Sequence, residues 1–136
     1  MTSKHEILVV DDEQPIRAIL TRWLTRWGYE VREAGNAAEA LDAMSAVPAG
    51  IIVCDIGMPD HDGLWLAEQV HERWPATAVI MGTGIDESVI VRTSRKVGAV
   101  AYVTKPFDAD LLRQAIDHAA GRLHFRPSAE ESRQPA

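Results

Sequence analysis

Ile51-Ile52-Val53-Cys54-Asp55 sets four apolar residues in a row and ends them on a carboxylate. A run this short and this apolar predicts a strand buried on both faces, since a half-exposed strand would alternate polar residues into it. Ile7–Val10, Val79–Met81 and Ala99–Val103 read the same way. Tyr29–Glu33 is more polar and is expected at a sheet edge.

Between these runs the apolar residues recur at helical spacing. Pro15–Trp27 puts Ile16, Leu20, Trp23, Leu24 and Trp27 on one stripe, with Gly28 as the C-terminal stop. Asn36–Ser45 opens with a capping box, Asn36 then Glu39, and turns Ala40, Leu41 and Met44 inward. Leu64–Trp74 ends before Pro75, because a proline clashes with a helical residue before it. Asp108–Leu123 begins at a capping aspartate and is expected to bury Leu111, Leu112, Ala115, Ile116 and Ala119. Glu87–Val97 is a weaker helix, carrying Val89, Ile90, Val91, Thr93 and Val97 before Gly98. Trp65 is expected at the surface and His61 in a solvated loop. Strand and helix alternating five times call for an α/β fold, a parallel sheet with helices on both faces.

A chain of 136 residues, 46% hydrophobic and 25% charged, fits one globular domain. The net charge of -6 disfavours direct nucleic-acid binding. Cys54 has no partner for an internal disulfide and reads as a buried, inert thiol. No apolar run reaches membrane-spanning length and no signal peptide is evident, so a cytoplasmic location without membrane contact is expected.

In parallel sheets the ligand site lies at the carboxyl ends of the strands, where the strand order reverses. Asp11 and Asp12 follow the first expected strand, Asp55 the third, Thr83 the fourth and Lys105 the fifth. Crowded carboxylates resist ionising unless a cation joins them, and hard divalent cations prefer oxygen ligands. The set therefore reads as a magnesium site rather than a zinc site. Beside it, Asp55 is a candidate nucleophile toward phosphorus, with Lys105 and Thr83 to hold the transferring group.

Leu8-Val9-Val10-Asp11-Asp12-Glu13, Asp55-Ile56-Gly57-Met58-Pro59-Asp60-His61-Asp62-Gly63, Gly82-Thr83-Gly84 and Tyr102-Val103-Thr104-Lys105-Pro106-Phe107 together resemble the receiver domain of bacterial two-component response regulators. The resemblance implies a doubly wound (βα)5 flavodoxin-like fold with a five-stranded parallel sheet in order 2-1-3-4-5. It implies a receiver domain over residues 1–125, leaving 126–136 as a disordered tail or the start of a linker. Asp55 matches the phosphoacceptor. Asp12 and Asp55 match direct Mg2+ ligands, Asp11 a ligand through water, and Gly57 the backbone carbonyl ligand; Mn2+ is expected to substitute. Thr83 matches the switch hydroxyl, Tyr102 the switch aromatic and Lys105 the phosphate-binding lysine, with the Lys105–Pro106 bond cis.

The implied donor is a sensor histidine kinase or a histidine phosphotransfer protein. The implied output is a protein partner at the face made by Glu87–Val97, Ala99–Val103 and Asp108–Leu123, with the chain a monomer or a phosphorylation-dependent dimer. The chain is then a signalling switch, an enzyme only toward its own aspartyl phosphate. Gly84 departs from the family pattern, where alanine is common, and Gly57 and Ile85 stand where relatives often carry polar or charged side chains; the latter two imply self-dephosphorylation that is not especially fast. A stand-alone receiver and one belonging to a longer chain both fit. An aspartyl-phosphate phosphatase fits less well, because such enzymes carry a second aspartate two residues past the nucleophile, where Gly57 stands.

Overall fold

Ile51–Cys54 does become a central strand. In the computed structural model, which describes residues 3–58, 62–83 and 98–123, β3 (Ala49–Asp55) is buried at every position. The chain runs β1 (Ser3–Val10), α1 (Gln14–Arg26), β2 (Glu30–Ala34), α2 (Ala37–Ala46), β3, α3 (Gly63–Arg73), β4 (Ala78–Thr83), β5 (Ala99–Thr104) and α4 (Ala109–Leu123). All strand pairs are parallel and their order is β2-β1-β3-β4-β5, as the resemblance implies. The helix expected at Glu87–Val97, the residues Gly84, Ile85 and His61, and the tail lie outside the described residues.

Period-two alternation divides the core between the two faces of the sheet. Leu8, Val10, Ile52, Cys54, Val79 and Met81 pack under α2 and α3, against Ala40, Met44, Leu66 and Val70. Ile7, Val9, Ile51, Val53 and Ile80 face the other way, under Leu20 and Leu24 of α1 and Leu112 and Ile116 of α4. Cys54 is buried, and burial pushes its thiol pKa up, which keeps it the inert thiol expected. Among the described residues no helix is long and apolar enough to cross a membrane.

Several boundaries and burials differ from the sequence reading. β2 begins at Glu30 because Tyr29 belongs to the end of α1. Gly28, at φ +99°, donates to the Thr25 carbonyl and Tyr29 to that of Leu24, the two bonds of a Schellman close. β5 is not buried on both faces: it is an edge strand, and only Val103 is fully buried. Leu111 is 52% exposed, since Leu112, Ile116 and Ala119 already fill the stripe that meets the sheet. Trp65 is half-buried against the α2–α3 side of the core. The capping box is modified. Asn36 accepts from the Glu39 N–H at 2.8 Å, but the Glu39 carboxylate reaches one residue further back, to the Gly35 N–H at 2.7 Å.

Candidate functional site

Strand order reverses between β1 and β3, so the loops after these two strands diverge and leave a crevice at their carboxyl ends. Asp11 and Asp12 follow β1, and Asp55 closes β3. One carboxylate oxygen from each lies within 4.8 Å of the other two. Asp11 and Asp55 are buried, while Asp12 is exposed at the mouth.

Asp11 is tied down on three sides. Its N–H donates to the Ala34 carbonyl (3.1 Å), Oδ1 accepts from the Glu13 N–H (2.9 Å), and Oδ2 accepts from Lys105 Nζ (3.2 Å). Lys105 Nζ also stands 3.4 Å from Asp55 Oδ1 and 3.6 Å from Glu13 Oε1. The lysine thus bridges the two buried carboxylates.

The charges in this crevice are mismatched. Burial holds the Asp55 pKa above the usual carboxylate range and Asp11 pushes it the same way; Lys105 and the Gly57 N–H pull against both without prevailing. Burial alone would lower the Lys105 pKa, but Asp55 and Asp11 outweigh it and hold the ammonium pKa above its usual value. Two buried carboxylates with one shared ammonium are short of positive charge.

Close packing fixes the backbone at Asp55. The Gly63 N–H, at the start of α3, donates to the Ile56 carbonyl at 2.7 Å. A Cβ on Gly63 would lie 2.3 Å from the Asp55 carbonyl oxygen and 2.9 Å from Ile56 Cα, both backbone atoms that cannot swing aside. Gly63→Ala is therefore expected to destabilise the fold by roughly 1–3 kcal/mol, as overpacking does. Urea unfolding measures it, and an unchanged midpoint would contradict this close approach. On β4, the Phe107 ring lies against Gly82, 2.7 Å from where a Cβ would stand, and Lys105 Nζ sits 5.9 Å from the ring centroid.

The structure brings together Asp11, Asp12, Asp55 and Lys105, and hydrogen-bonds the Gly57 backbone to the Asp55 carboxylate. Lys105–Pro106 is cis. Thr83 closes β4 in register with Thr104; its side chain lies outside the described groups. Tyr102 is not part of the acidic cluster. It is 40% exposed on β5, lining a surface groove of about 390 Å³ with Leu111, Gln114 and His118. Sequence reading gave no role to Glu13, Arg17, Gly63 or Phe107. Glu13, Gly63 and Phe107 lie inside the family motifs, which is a signal; Arg17 carries none beyond its helix.

A second, larger groove of about 610 Å³ opens beside Lys105, walled by Ile16, Ile19 and Trp23 of α1 and by Pro106 and Phe107. The donor set suits magnesium. It offers carboxylate oxygens without histidine or cysteine, one of them exposed and open to water. A divalent cation would also offset the burial and the Asp11 charge that hold the Asp55 pKa up.

Comparison with known proteins agrees with this fold. Residues 7–117 match the response regulator receiver domain family. The response regulator protein PilR of Pseudomonas aeruginosa is 34% identical over 131 residues, 96% of this chain and 29% of PilR. The DNA-binding transcriptional regulator NtrC of Proteus hauseri is 35% identical over 119 residues, 85% of this chain and 25% of NtrC. This chain thus spans about a quarter of the length of these relatives. Among solved structures, NtrX from Brucella abortus superposes with a TM-score of 0.84 at 29% identity, covering 94% of this chain and 29% of NtrX. A CheY-like receiver domain from Methanospirillum hungatei gives 0.81 at 32% identity, covering 88% of this chain and 97% of its own. The chain belongs to the response regulator receiver domain family, the phosphoacceptor switches of two-component systems.

Proposed function

We propose that Asp55 accepts a phosphoryl group from the phosphohistidine of a sensor histidine kinase or histidine phosphotransfer protein, with Mg2+ held by Asp11, Asp12, Asp55 and the Gly57 carbonyl. The observation that carries this reading is the meeting of three carboxylates with Lys105, which spans Asp11 and Asp55 at 3.2 and 3.4 Å. An Asp55 carboxylate oxygen attacks phosphorus, the P–N bond breaks, and the imidazole leaves with its electron pair to be protonated by water. Lys105, already at the Asp55 oxygen, shifts its charge to a phosphoryl oxygen. Mg2+, when bound, neutralises developing charge on the phosphoryl oxygens.

The output reading is that Thr83 turns toward the phosphoryl group and Tyr102 turns inward, changing the surface made by residues 87–97, β5 and α4 for a protein partner. The exposed Tyr102 and Leu111 beside Gln114 and His118 support β5 and α4 as part of that surface. DNA binding is named for NtrC, and the net charge of -6 here supports no direct contact with a duplex.

Incubation with acetyl phosphate is the test. Intact-mass spectrometry is expected to show one phosphoryl-sized adduct with Mg2+, none with EDTA, and loss of the adduct in hydroxylamine, which cleaves acyl phosphates. A hydroxylamine-stable adduct, or none on the folded protein, would overturn the reading.

A further inference from the structure

We infer that Arg17 is a positioning residue for the cation site, fixing the Asp11–Asp12 peptide so that the Asp12 carboxylate reaches the cation shared with Asp55. The inference rests on the magnesium reading above.

Arg17 Nη1 donates to the Asp11 backbone oxygen at 2.7 Å, within a side chain only 18% exposed. That oxygen belongs to the peptide joining Asp11 to Asp12, so its orientation sets where Asp12 starts. The Asp11 side chain is held independently, by Glu13 and Lys105. Asp12 is exposed, and the placement of its carboxylate falls to the backbone.

The guanidinium is itself held. Its Nε meets Glu33 Oε1 at 3.1 Å, and the Thr21 hydroxyl donates to Glu33 Oε2 at 2.9 Å. The planar fork therefore links the end of β1 to the edge strand β2, which a lysine, with one point charge, does less well.

Charge alone predicts the opposite effect. A cation near a Mg2+ site repels the metal, so removing Arg17 would tighten binding if its field were what mattered. Loss of positioning weakens binding instead, and groups that orient metal ligands are commonly worth ten- to a hundredfold in affinity.

Mg2+ titration of the unphosphorylated protein by calorimetry separates these readings. Arg17→Met is expected to raise the Mg2+ Kd about tenfold while circular dichroism stays native, with Arg17→Lys recovering only a small part of the loss. Glu33→Gln, which loosens the guanidinium without touching the acidic cluster, is expected to raise Kd about threefold and carries the test if Arg17→Met does not fold. An unchanged or lower Kd in the folded variant would overturn the inference and leave the magnesium reading intact. A wild type that binds no Mg2+ would overturn both.

Discussion

Asp55→Asn is expected to lose all phosphoryl acceptance from acetyl phosphate and, in the same variant, to gain thermal stability. The first effect follows from removing the nucleophile: an amide does not form the acyl phosphate. The second follows from the electrostatics. Burial and Asp11 hold the Asp55 pKa above its unfolded value, so the folded chain binds this proton more tightly than the unfolded chain does. The group therefore favours folding at low pH, and that contribution is lost as pH rises through the folded pKa. Above that pKa the full cost of the buried charge is present, and asparagine removes it. Lys105 keeps Asp11 at 3.2 Å and Glu13 at 3.6 Å. Differential scanning calorimetry without Mg2+ is expected to show a higher Tm for Asp55→Asn at pH 7, by roughly 4 °C per kcal/mol relieved, and a gap that closes toward pH 4. Mg2+ should raise the wild-type Tm more than that of the variant. A variant less stable than wild type at pH 7 would contradict this account of the crevice.

Lys105→Met has large effects of the opposite sign on stability. It leaves Asp11 and Asp55 buried without their shared ammonium, and losing charge-assisted bonds of this kind costs about 1.5–3 kcal/mol. Because the Lys105 pKa is raised, its stabilising contribution is complete at neutral pH and declines only as pH climbs past the usual lysine range. The destabilisation of the variant should therefore be full at pH 7 and shrink in strong base. Mg2+ should restore part of the loss by taking over the neutralising role. Phosphorylation is affected separately: removing one charge that stabilises the transferring group typically slows such a step by about 10²–10³-fold. Adduct formation followed with time at saturating Mg2+ measures it. A rate within threefold of wild type would mean that Lys105 serves only the fold.

Much of this was legible in the sequence, for identifiable reasons. The apolar run before Asp55 reads as a strand covered on both sides, and placing it centrally puts Asp55 at the switch point. Asp11, Asp12 and Lys105 follow from the same rule, since each comes just after an apolar run. What was hidden depends on contacts between distant segments. Leu111 fits the helical apolar pattern, yet a sheet edge offers no cover on that side. Ala99–Val103 is apolar enough for a central strand, and its edge position follows from the strand order the family resemblance implies, not from its own residues. Gly63 looks like any glycine before a helix until its Cβ position is seen to fall on the Asp55 carbonyl. Arg17 reads as one more polar residue of an amphipathic helix, because its partners lie on a loop carbonyl and on a different strand.

The central claim is that Asp55 carries the phosphoryl group, and chemical localisation tests it most directly. The wild type is phosphorylated with acetyl phosphate and Mg2+, reduced with borohydride, digested and sequenced by tandem mass spectrometry. Borohydride converts an aspartyl phosphate to homoserine, and the account predicts homoserine at position 55 alone. Homoserine at Asp11 or Asp12 instead, or a phosphoryl group left on a histidine with Asp55 unmodified, would contradict it.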